Sequence, residues 1–145
     1  MKNFTLPVRF GIAASGSLIA YFLLLALFDK HTSPIFSMFN AVITGFAIYE
    51  AIKYAKLNEG KAFGYVSGFK TGLITGSIAT LVFTIFFAFY VTEINPEFYE
   101  TLMSKVNMDV SVGLLIFSVG ILGLATTGIL TLTFMQLFKP SQNIS

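Results

Sequence analysis

The chain has 145 residues, of which 55% are hydrophobic and 11% charged, with a mean hydropathy of +0.80. Soluble domains carry about 25% charged residues, so this composition excludes a water-soluble globule and points to a lipid bilayer. Nine basic and seven acidic residues give a net charge of +2 with no dense basic stripe, which excludes nucleic-acid binding, and the absence of cysteine beside a single histidine excludes thiolate and histidine-rich metal sites.

Crossing roughly 30 Å of hydrocarbon takes about 20 helical residues, and four stretches read as spans. The first covers about 10–28, between Arg9 and the pair Asp29-Lys30. A cleaved signal peptide would carry a shorter apolar core and a small-residue cleavage site. Here Phe28-Asp29-Lys30-His31 follows instead, so the segment reads as a retained anchor. In the next link, Ser33-Pro34 has the form of an N-cap followed by proline at the first helical position, and His31 reads as a solvated loop residue. The second span covers about 34–52; it is the weakest of the four, with Asn40 near its middle and Glu50 and Lys53 at its end.

The inner link that follows contains the turn signal Asn58-Glu59-Gly60, and its lysines suit anionic headgroups or simply set orientation. The third span covers about 65–92. Beyond it, Asn95-Pro96 repeats the cap-plus-proline form, and Glu97 places negative charge in a first helical turn. Phe98, Leu102 and Val106 then recur every four residues, which predicts an outer amphipathic helix over about 96–107, lying on the membrane surface. The fourth span, about 110–138, holds 29 uncharged residues. That is about 44 Å of helix at 1.5 Å per residue, so tilt, a kink near Gly120 or Gly123, or an end in the headgroups is expected.

Charge sets the orientation. One face receives seven basic residues (Lys2, Arg9, Lys53, Lys56, Lys61, Lys70, Lys139) against Glu50 and Glu59. The other receives Lys30 and Lys105 against Asp29, Glu93, Glu97, Glu100 and Asp109. Positive residues stay inside, so both termini are expected in the cytoplasm.

The most specific local pattern is a ladder of small residues. Gly64, Gly68, Gly72 and Gly76 are spaced by four, and Thr80 and Thr84 continue the row. Helices in lipid associate through close packing, and small residues permit it. The row drifts by about 40° per step on a helix of 3.6 residues per turn. It is therefore expected either to serve two neighbours, Gly64 to Gly72 one and Gly76 to Thr84 another, or to follow a right-handed crossing. The fourth span carries a weaker form, with Gly113, Gly120, Gly123, Thr127 and Thr131. The ladder suits packing within one bundle or against a second copy or another membrane subunit.

Chemistry is sparse. No formal charge falls at a span centre, where each would cost at least about 2.5–3.5 kcal/mol. Asn40, Glu50 and Lys70 are the polar or ion-pairing positions nearest the membrane interior. No nucleophile set, phosphate loop or carboxylate pair can be assembled, so no enzymatic activity, cofactor or metal is expected. A small oligomeric transporter or channel is the rival reading.

The stretch from Tyr54 through Asn58-Glu59-Gly60, Phe63 and Gly68-Phe69-Lys70-Thr71-Gly72 to Asn95-Pro96-Glu97-Phe98 resembles a bacterial family of small four-helix membrane proteins known only as a domain of unknown function. That family often has two glycines where this chain has Gly60 alone. The resemblance implies a bacterial inner-membrane location and no particular activity. The expected fold is all-α: an antiparallel bundle of four transmembrane helices in a single domain, with a short outer interfacial helix. Its partners are the bilayer and a second copy or other membrane subunit.

Overall fold

The computed structural model describes residues 2–30, 38–107 and 109–138. His31 and the Ser33-Pro34 pair lie outside the described residues. Every regular element among those described is helical. In chain order they are α1 (Lys2–Leu27), α2 (Phe39–Glu59), a 3-10 turn (Gly60–Ala62), α3 (Tyr65–Phe89) running into a π turn (Tyr90–Ile94), the short α4 (Glu97–Val106) and α5 (Val112–Phe138).

Three of these are long and apolar enough to cross a membrane: Thr5–Leu27, Tyr65–Ile94 and Val112–Phe138. Helix α2 is not one of them. The expected second span ended near residue 52, but the helix continues to Glu59 and carries Glu50, Lys53 and Lys56 within it. At the other end of the chain, α1 begins at Lys2 and takes Pro7 and Arg9 into the helix, well before the expected Phe10.

The helix ends follow backbone chemistry. After α1, Asp29 adopts a left-handed conformation (φ 56°), with Lys30 N–H bonded to Leu25 C=O (2.8 Å) and Asp29 N–H to Ala26 C=O (3.2 Å). This is the Schellman arrangement, which satisfies two terminal carbonyls. Gly60 ends α2 at φ 56°, ψ −122°, a conformation open to glycine and strained for residues with a Cβ. The short connection into α3 is fastened by Ser67, whose hydroxyl donates to the Glu59 carboxylate at 2.7 Å. Asn95 does not cap α4 as its Asn-Pro form suggested. Pro96 occupies the cap position, and the Asn95 amide donates instead to the Tyr90 hydroxyl at 3.3 Å.

Contacts give the helix directions. Phe10 meets Tyr54 and Tyr21 meets Phe39, so α1 and α2 are antiparallel. Gly11 faces Ile78 while Phe22 meets Phe87 and Tyr90, so α1 and α3 run parallel. Gly45 faces Leu130 and Tyr49 meets Phe134 and Phe138, so α2 and α5 run parallel. Helix α3 is central, packing on α1, α2 and α5.

The core divides by bundle end. One end holds an aromatic cluster in which Phe22 meets Tyr90 edge-on at 4.9 Å, and Phe98 of α4 packs on Phe22, Phe87 and Tyr90 at 5.6–5.7 Å. Phe98 is buried, and Leu102 packs against the same cluster. The apolar stripe of α4 therefore faces the end of the bundle, where an outer face lying on lipid was expected. At the other end, Ile48, Ile52 and Met135 are fully enclosed, and Lys56 lies 5.7 Å from the Phe138 ring. Lys53, Lys56, Lys61 and Lys70 are exposed at this second end, while Asp29, Glu93, Glu97 and Glu100 are exposed at the first.

Candidate functional site

Helices α3 and α5 meet along a seam of glycine and threonine. A Cβ added to Gly68 would lie 2.6 Å from the Met135 sulfur, and one on Gly72 would lie 2.6 Å from Thr131 Cγ2. One on Gly76 would overlap Thr127 outright. Then the roles reverse: a Cβ on Gly123 would lie 2.5 Å from Thr80 Cγ2, and one on Gly120 3.7 Å from Thr84. Each step of four along α3 is met by a step of four, and finally of three, back along α5, so the helices are antiparallel. Five positions from Gly68 to Thr84 share one neighbour. Drift of the row does not divide them, because α5 presents its own row at the same spacing and the two rows pack on each other. Gly64 takes no part. It precedes the first turn of α3 in extended backbone, with nothing within 4 Å of an added Cβ.

Two sets of hydroxyls stand in and beside this seam. Thr71, Thr75 and Thr127 donate to the carbonyls of Ser67, Thr71 and Gly123 at 2.8–2.9 Å, within their own helices. Thr84 Oγ1 and Thr131 Oγ1 are buried without a hydrogen bond.

The helices are closest at Gly76 and Thr127 and have parted by Gly120 and Thr84. Where they part, a cavity of about 570 Å³ opens. Thr80, Thr84, Phe83 and Phe87 of α3 form its floor with Leu18 and Phe22 of α1. Met38, just before α2, and Asn40, Ala41 and Thr44 of α2 form one wall, and Leu115, Val119, Leu122, Gly123 and Thr126 of α5 the other. Phe98, Leu102 and Val106 of α4 close its end. The space is a wedge: α2 and α5 touch at Gly45–Leu130 and Tyr49–Phe134 and splay apart toward their N-termini. Met38 and Leu122, on the two sides of the wedge, are 72% and 66% exposed, which marks the open side.

Among the described residues the lining holds no charged side chain. Its polar groups are threonine hydroxyls and the amide of Asn40, whose Oδ1 is buried without a partner. An apolar cavity with a few polar groups and this volume has the character of a site for a small or chain-like ligand.

Of the three polar positions singled out from sequence, Asn40 lines the cavity, Glu50 is half-buried and Lys70 is exposed. They are not gathered into one site. Asn40 and Glu50 are both on α2, about 15 Å apart at 1.5 Å per residue. No ion pair joins Glu50 to Lys70 among the described residues. Of the α5 wall, sequence reasoning singled out only Gly123, as a packing position; Leu115, Val119, Leu122 and Thr126, and Thr44 of α2, carry no motif. The stripe of Phe98, Leu102 and Val106 was visible as a pattern, but its destination inside the bundle was not.

A family model described as "Protein of unknown function (DUF4199)" matches residues 9–113, most of the chain, and the chain belongs to that family. Neither a curated protein nor a solved structure matches it.

Proposed function

We propose that this family member is a four-span integral protein of a bacterial inner membrane, with both termini cytoplasmic and no catalytic role, serving as an accessory or self-associating subunit. The observation that carries the reading is the content of its interior. The buried polar residues are serine and threonines (Ser15, Thr44, Thr71, Thr75, Thr80, Thr127 and Thr131), with no charged side chain among the described buried residues. Threonine hydroxyls bonded to their own helices are satisfied within lipid and supply no charged acid or base. Three apolar helices and the exposure of lysines at one end support insertion, and α2 completes the fourth crossing against α1 and α3.

The seam occupies Gly68, Gly72 and Gly76 within the chain, so association with a second copy or another subunit falls to the outward face of α5. Phe117, Ile121, Ile129 and Leu132 are exposed there. Conduction is the weaker reading, since Asn40, Glu50 and Lys70 do not line a common path.

The chain has no cysteine, so single cysteines report topology directly. Asp29→Cys and Lys105→Cys should react with a membrane-impermeant maleimide on intact cells, and Lys61→Cys only after permeabilisation. Reaction of Asp29→Cys and Lys61→Cys from the same side would remove α2 as a span. Crosslinking in native membranes then separates self-association from pairing with another subunit.

A further inference from the structure

The end of the bundle that carries the inner link is basic. Arg9 of α1, Lys53 and Lys56 of α2, Lys61 of the 3-10 turn and Lys70 of α3 are all exposed there. Among the described residues none of them has a carboxylate partner. The acids at this end are Glu50, which is half-buried, and Glu59, whose carboxylate accepts the Ser67 hydroxyl at 2.7 Å. Lys53 and Lys56 stand three residues apart on α2, a spacing that makes them neighbours on its surface. Their surroundings are apolar. The Lys56 ammonium lies 5.7 Å from the ring of Phe138, the residue at which the apolar span Val112–Phe138 ends. Tyr54, beside Lys53, is 45% exposed, and Phe46, two turns back on the same face of α2, is 67% exposed. A soluble anion would use the charges alone. A molecule that joins a negative group to hydrocarbon uses the charges and the exposed apolar side chains together.

We propose that Lys53 and Lys56 hold the headgroup of an anionic phospholipid of the inner leaflet, with its chains running past Phe46. The inference rests on the membrane-spanning reading above, with α2 as a span. Arg9, Lys61 and Lys70 add to the positive field at this end. Lysines that served only to orient the chain would show no such preference for one lipid class.

The test places the full chain in phosphatidylcholine vesicles with a trace of either phosphatidylglycerol or phosphatidylcholine that bears a diazirine, and maps the labelled peptides after illumination. The ratio of phosphatidylglycerol to phosphatidylcholine labelling should be higher over 46–57 than over 23–27 at the opposite end, and should fall as salt rises. Lys53→Gln and Lys56→Gln should each lower that ratio about fivefold, the change that about 1 kcal/mol per lysine near a membrane surface produces. Lys53→Arg with Lys56→Arg, and Lys30→Gln at the opposite end, should leave it unchanged. The salt series uses the unsubstituted chain and serves if the glutamine variants fail to fold. Equal ratios at the two ends, a ratio indifferent to salt or to the glutamine substitutions, or an equal fall on Lys30→Gln overturns the headgroup site alone, provided the chain resists alkaline carbonate extraction. Release of the unlabelled chain by carbonate overturns the spanning reading and the site with it.

Discussion

Gly76 of α3 stands against Thr127 of α5 with no room for a methyl group between them. The same relation holds at Gly72 and Thr131, and it inverts at Thr80 and Gly123. In a protein surrounded by apolar lipid, helices gain little from burying apolar surface and much from close approach. The reciprocal seam supplies that approach, and the absence of a Cβ first on α3 and then on α5 is its physical condition.

Gly76→Ala should therefore lower the stability of the chain in detergent by about 1–3 kcal/mol, the usual cost of overpacking. Thr127 Cβ would lie 2.8 Å from the new methyl, and a short branched side chain cannot move its Cβ without moving the helix. Gly68→Ala should cost less, because it meets the far ends of the Met135 side chain and the Phe63 ring, which can shift without moving a helix, rather than a branched Cβ. The swap Gly76→Ala with Thr127→Gly should recover about 1 kcal/mol relative to the two single losses added. Thermal unfolding of the four proteins checks this. Equal losses at Gly68 and Gly76 would show that side-chain flexibility does not set the cost.

Much of this was legible in the sequence, and the reasons differ by element. The long apolar runs of α1, α3 and α5 announced themselves because lipid demands continuous apolar length. The four-residue row on α3 was equally visible. Its single partner was not, since row-on-row packing depends on α5 carrying Gly120, Gly123, Thr127 and Thr131 in the complementary reverse order. Gly64 looked like a member by spacing alone, yet it lies outside the helix, where periodicity has no meaning. The cavity left no motif at all: it exists because α2 and α5 diverge, a property of crossing geometry spread over the whole bundle.

Phe98 fixes α4 to the bundle end, and it is the one fully buried residue of that helix. Phe98→Ala should cost about 3–5 kcal/mol, as for other buried phenylalanines. It removes ring contacts to Phe22, Phe87 and Tyr90 together. The Tyr99 hydroxyl donates to Val110 C=O and still tethers α4 to the start of α5. Limited trypsin digestion should then cut at Lys105 faster than in the unsubstituted chain, while the α3–α5 seam stays protected. Unchanged cleavage at Lys105 would mean that the tether alone holds α4.

Gly60 and Gly64 separate backbone strain from packing. Neither has an atom within 4 Å of an added Cβ. Gly60 sits at φ 56°, ψ −122°, and Gly64 at φ −129°, ψ 176°. Gly60→Ala should lose about 1–2 kcal/mol, the cost of forcing an L-residue to positive φ. Gly64→Ala, in ordinary extended backbone, should leave the melting temperature almost unchanged. A loss at Gly64 as large as that at Gly60 would show that its neighbourhood is crowded.

Thr131 gives the prediction with the least expected sign. It is fully buried, and its hydroxyl has no hydrogen bond, although the threonines at 75 and 127 each donate to the carbonyl four residues back. A buried hydroxyl without a partner bears a desolvation cost of about 1–3 kcal/mol. Valine keeps the branched shape that fits against Gly72 and removes that cost. Thr131→Val should therefore raise stability by about 1 kcal/mol, whereas Thr127→Val should lower it by about 0.5–1.5 kcal/mol, the worth of one intramolecular hydrogen bond. Unfolding of both variants in the same detergent decides the matter. A loss at Thr131 equal to that at Thr127 would mean that its hydroxyl is bonded in the membrane, with the helix carbonyl of Thr127 as the acceptor four residues back.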